Sequence, residues 1–100
     1  MVAACVPNLS ADGARAQAEP LEREARRMLA ERLNAPVDEI GIQRIDARQW
    51  PDTSLDCPEP GFAYAGVITP GYRILLTHAG RTYAFHSSAS RVVYCPQDRA

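Results

Sequence analysis

The side chains best suited to nucleophilic or metal chemistry are two histidines, His78 and His86, and three cysteines, Cys5, Cys57 and Cys95. A thiol held beside an imidazole is a nucleophile poised for covalent catalysis. The positions of the histidines argue against that use. His78 borders a hairpin turn, where it is expected to be solvated. His86 is expected opposite Arg73 on neighbouring strands, and a polar cross-strand pair is the simpler account of it. A metal site needs three or four converging ligands, and two histidines with no Cys-x-x-Cys do not supply them. No catalytic residue, cofactor or metal ligand is assigned, and the chain is expected not to be an enzyme.

Three cysteines are an odd number for a disulfide framework. The string Val2-Ala3-Ala4-Cys5 resembles the end of a bacterial lipoprotein signal, a small-residue box directly before the cysteine that becomes lipidated. The charged and apolar regions that precede such a box are missing. Lipidation would consume Cys5 and leave Cys57 and Cys95 as a pair in an extracytoplasmic compartment, periplasm or cell envelope. If instead Met1 is the true start, the protein is cytoplasmic and all three thiols are free.

The segment Trp50–Tyr72 carries four prolines and three glycines among Trp50, Phe62, Tyr64 and Tyr72. A connection this long without regular structure is uncommon in a compact domain, and its aromatic content argues for order. Trp50 and Tyr72 are expected to pack the loop onto the sheet. Phe62 and Tyr64, between Gly61 and Gly66, are candidate contact residues, because aromatics with a polar handle dominate binding hot spots. Asp52, Thr53 and Ser54 are expected to fix turns through their own backbone. A Cys57–Cys95 bond would pin the middle of this loop to the last strand.

The elements that must hold these residues follow from hydrophobic spacing. The chain has 100 residues, enough for one domain, with 46% apolar and 23% charged residues and a net charge of −1. That balance leaves no electrostatic footprint for nucleic acid or for an anionic membrane surface. No stretch approaches the ~20 apolar residues of a membrane span, so membrane association is expected only through a lipid anchor. Residues 1–18 read as a tether or residual signal, and 19–100 as the folded domain. Leu21, Ala25, Met28, Leu29, Arg32 and Leu33 form one helical stripe that starts with Pro20 in the first turn. Asn34 is a left-handed cap before Pro36, and Pro36–Ile40 is a turn feeding a strand. Ile40–Trp50 alternates imperfectly, which predicts a bulge near Arg44. Tyr72–Thr77 and Arg81–His86 flank a turn at Ala79-Gly80, which sets Ile74 opposite Phe85, Leu76 opposite Tyr83 and Arg73 opposite His86. Arg91–Cys95 closes the sheet. The fold class is α+β: one N-terminal amphipathic helix on a three- to four-stranded antiparallel sheet, with a long disulfide-tethered loop.

The loop WPDTSLDCPEPGF and the strand TPGYRI, followed by a Tyr-x-x-His strand and a late cysteine, resemble a group of small uncharacterised bacterial proteins, often secreted or lipoprotein-like. That group has a Trp-x-Asp-x-Ser-Leu-Gly-Cys-Pro-x-Pro-Gly loop. Asp56 stands where the group has glycine, and Asp tolerates a positive φ better than most residues. The resemblance covers residues ~21–95 and implies the fold and the disulfide but no activity. The expected function is therefore a non-enzymatic, extracytoplasmic interaction module for an unidentified protein or small ligand, anchored through Cys5. Its candidate surface comprises Leu55, Phe62, Tyr64, Arg73 and His86. The alternative is a peptidase inhibitor that presents Ser54-Leu55-Asp56 from the stiffened loop; it requires Leu55 to project into solvent.

Overall fold

The computed structural model describes the backbone of residues 6–99 and side chains from Ala18 onward. Cys5, the expected lipidation site, lies outside the described residues. The element order is a helix α1 (Val6–Leu33), a one-turn 3-10 helix (Val37–Glu39), and strands β1 (Gly41–Trp50), β2 (Thr69–His78), β3 (Arg81–Ser87) and β4 (Val92–Tyr94). The four strands form one antiparallel meander in the order β1-β2-β3-β4.

The apolar stripe of α1 is the one that the spacing predicts: Leu21, Ala25 and Leu29 are buried, and Met28 and Leu33 pack at their edge. Arg32, on the same face, lays its guanidinium 4.3 Å from the centre of the Tyr94 ring, a cation–π contact. The helix starts earlier than expected. It runs through Pro20, which lies inside it rather than in its first turn. An internal proline forfeits a hydrogen bond and costs about 3 kcal/mol. The residues before it, Ala14 to Ala18, are strong helix formers. Ala18, expected to belong to the tether, is only 1% exposed and extends the buried stripe past the proline. Asn34 adopts φ 53° at the helix end, the left-handed conformation of a cap.

One face of the sheet and the helix enclose the core, where Tyr72, Ile74, Leu76 and Phe85 meet Leu21, Ala25 and Leu29. Register follows the reading of the hairpin: Ile74 pairs with Phe85, Leu76 with Tyr83 and Arg73 with His86, around a turn in which Ala79 and Gly80 take φ 51° and 79°. The pairing of β1 with β2 shifts between Ile42 and Arg44, leaving Gln43 as the bulged residue. Alternation along β2 and β3 places Arg73, Leu75, Ala84 and His86 on the opposite face. No helix covers that face among the described residues.

β2 approaches the end of β3 closely at one point. A Cβ added to Gly71 would lie 1.7 Å from the Ser87 carbonyl oxygen, whereas one added to Gly66 would meet nothing within 4 Å. Gly71→Ala is therefore expected to lower stability by about 3 kcal/mol. Gly66→Ala should stay within about 0.5 kcal/mol of the parent chain, both measured by urea unfolding.

Candidate functional site: the loop face of the sheet

The loop between β1 and β2 is ordered by its own short-range bonds. The Asp52 carboxylate accepts from the Ser54 amide at 2.9 Å and from the Ser54 hydroxyl, the local turn expected of these residue types. Leu55 and Asp56 both have positive φ, 61° and 57°. Asp56 thus occupies a left-handed conformation at the position where the resemblance expects glycine. Further along, the loop closes on itself across Thr53 and Ala65. The Thr53 amide donates to the Ala65 carbonyl at 3.1 Å, and the Ala65 amide donates to the Thr53 hydroxyl at 2.9 Å. The Tyr64 hydroxyl accepts from the Glu59 amide at 3.0 Å.

Three ties fasten this loop to the sheet. Cys57 and Cys95 are joined by a disulfide with Cα atoms 5.8 Å apart. Arg91, just before β4, donates to the Thr53 carbonyl at 2.7 Å. His86 on β3 meets the Leu55 carbonyl through Nδ1 at 2.6 Å. The other ring nitrogen of His86, Nε2, lies 2.6 Å from Asp98 Oδ2. A carbonyl and an ionised carboxylate can only accept, so both bonds form together only when both ring nitrogens carry hydrogen. Trp50 stacks on the imidazole with centroids 4.3 Å apart and planes at 17°, and its indole N–H donates to the Ser87 carbonyl at 2.9 Å. Arg73, the cross-strand neighbour of His86, completes the cluster with a two-pronged bond to Asp98, Nε to Oδ2 and Nη2 to Oδ1, each 2.7 Å. The hydrogen bonds from Arg73, opposed by burial and reinforced by those from His86, hold the Asp98 carboxyl down to about 2.

These positions decide which candidate residues share a surface. Leu55 is fully buried and His86 is 3% exposed, so neither presents a side chain to a partner. Leu55 is the apolar residue that fills the loop's underside, and His86 is consumed by three intramolecular contacts. Arg73 is likewise engaged with Asp98 and largely covered. The Leu55 side chain therefore does not project into solvent, the condition that the inhibitor reading set for it. Phe62 is 65% exposed and Tyr64 half-buried. Val67 and Ile68, not singled out from the sequence, are 59% and 65% exposed. Trp50 and Tyr72 are both buried, but only Trp50 packs on the loop side of the sheet, against His86. Tyr72 faces the helix, in the main core, because alternation along β2 puts it on the side of Ile74 and Leu76. His78, on the hairpin, lies 3.5 Å from Glu39 and remote from the His86 cluster. Among the described residues no group of three or more His, Cys, Asp or Glu is placed to hold a metal ion. No described helix is long and apolar enough to cross a membrane.

A family model described as a domain of unknown function, DUF8738, matches residues 22–95. The chain belongs to that family. No curated protein and no solved structure matches it. The DUF8738 match takes in the apolar stripe of α1 from Ala25 onward, the whole sheet and both bonded cysteines. It ends before Asp98, so the carboxylate that joins Arg73 to His86 comes from outside the matched span. Asp98 gave no signal in the sequence, because an acid in a short tail after the last strand has no periodicity to mark it.

Two solution measurements test this account. Reduction of Cys57–Cys95, which closes a sequence separation of 38 residues, is expected to lower unfolding free energy by about 4 kcal/mol on the chain-entropy estimate, read as the denaturant midpoint with and without reductant. The depressed Asp98 carboxyl contributes stability that is fully present above its ordinary value of 3.8 and is lost as pH falls toward 2. That contribution is about 2 kcal/mol. Asp98→Asn should therefore flatten the acid limb of the stability profile between these pH values and lower stability at neutral pH.

Proposed function

We propose that this chain is a non-enzymatic interaction module of the bacterial cell envelope, anchored through a lipidated Cys5, that engages a protein partner with the outer surface of the 51–68 loop. The observation that carries the reading is the exposure of Phe62, Val67 and Ile68 on a segment that is otherwise immobilised. Single exposed apolar residues are ordinary on protein surfaces. Three large ones within a stretch tied down at Thr53, Leu55 and Cys57 are a different matter, since a preorganised loop loses little conformational entropy on binding. The disulfide is compatible with an oxidising compartment, where such bonds persist. The residues that could have formed a catalytic pair, His86 and Cys57, are spent on structure, one in hydrogen bonds and one in the disulfide.

The loop is also built to keep its exposed residues apart from its buried ones. Leu55 and Cys57 point into the domain while Phe62 lies outside it, beyond the turn at Gly61 with φ 88°. A photo-crosslinking residue placed at Phe62 should give a discrete adduct in cells. The same probe at Arg23, whose side chain is 63% exposed on the helix, should give none. No adduct at either position, or identical patterns at both, would remove the loop as the contact surface.

A further inference from the structure

β1 is an edge strand, and its outer edge is unpaired among the described residues. It is ten residues long and contains no proline. The helix packs over β2 and β4, leaving the helix-side face of β1 open: Ile42 is 45% exposed, Ala47 is exposed and Ile45 half-buried. Edges of this kind are normally blunted by charge or by a bulge. β1 has both, Arg44 and Arg48 as charges and Gln43 as the bulged residue. The placement of the charges, however, is self-complementary.

We infer that β1 is a homodimerisation edge that pairs antiparallel with β1 of a second copy about a two-fold axis through Ile45. In that register Arg44 lies opposite Asp46 of the other copy, twice by symmetry, on the face away from the helix. The Arg44 and Asp46 side chains already meet within one strand at 2.8 Å, so the dimer would form an alternating cluster of two arginines and two aspartates. On the helix side Ile45 opposes its own copy. Because Gln43 is skipped, as it is in the pairing with β2, Ile42 comes opposite Ala47. Every exposed apolar residue of the strand then meets an apolar partner, and each of the two charges at its centre meets its opposite. Moving the axis to Asp46 sets that carboxylate against itself and Arg44 against Arg48, and like charges directly opposite are destabilising. An isologous contact of this kind closes as a dimer rather than propagating.

The test is sedimentation velocity over a concentration series with charge variants. The parent chain should shift from one to two chain masses as concentration rises. Arg44→Glu sets Glu against Asp46, and Asp46→Arg sets Arg against Arg44, so each variant alone should raise the dimer dissociation constant by roughly tenfold or more. An equimolar mixture of the two should recover dimer, because in the mixed pair all four residues face opposite charge. Far-UV circular dichroism establishes that each variant is folded. Should Asp46→Arg fail to fold beside Arg73, amide exchange of residues 41–50 in the parent chain replaces the mixture: protection that grows with concentration supports β1 pairing. A parent chain that stays monomeric, dimerisation insensitive to Arg44→Glu, a mixture of folded variants that does not recover dimer, or β1 exchange that does not change with concentration would overturn the inference.

Discussion

The sheet face away from the helix is covered by irregular chain. Irregular chain can be buried only where each backbone polar group it brings inside finds a partner. His86 answers that requirement at the centre of the face. Its ring lies flat under Trp50 at the end of β1, meets the Leu55 carbonyl of the loop through one nitrogen and the Asp98 carboxylate of the tail through the other. One side chain on β3 therefore joins three segments that share no ladder of hydrogen bonds. Leu55 can be buried in a left-handed conformation because its carbonyl is satisfied there. A histidine that looked like a candidate for chemistry is instead the fastener on which the loop depends.

The charges around that fastener explain why so buried a ring is tolerable. Taking charge out of water is costly unless it is paired and hydrogen-bonded. Arg73 and His86 reach the same carboxylate from adjacent strands, and the register of β2 with β3 is what makes them neighbours. The disulfide acts on the same region by a different route. It constrains the unfolded chain, whereas the cluster around His86 selects one arrangement of the folded loop. Together they account for an ordered connection that has neither strand nor helix of its own, and for an outer surface on which Phe62, Val67 and Ile68 stay exposed rather than collapsing inward.

Much of the architecture was legible in local patterns. The stripe Leu21–Ala25–Leu29, the Asn34 cap, the turn at Ala79-Gly80 and the pairing of Arg73 with His86 all rest on periodicities and turn chemistry that neighbouring residues impose on one another. The bulge in β1 was legible for the same reason, since the alternation of isoleucines changes phase across it. The helix start was misread because Pro20 is a strong local signal for a first turn, and packing of Ala18 against the core overrides it. Leu55 was named for the candidate surface and the structure buries it, because nothing in Ser54-Leu55-Asp56 says which way a loop faces.

What the sequence by itself determined is the set of elements and the register of the β2–β3 hairpin, because period, capping and turn preference act over a few residues. It also named the two cysteines that could close the loop. What only the tertiary structure decided is the meeting of Trp50, Leu55, His86 and Asp98 at one point, and with it the inside and outside of the loop. Those contacts join residues 12 to 36 positions apart. No local preference encodes them, since they exist only once the sheet has brought its edge strand, its third strand and its tail to the same face.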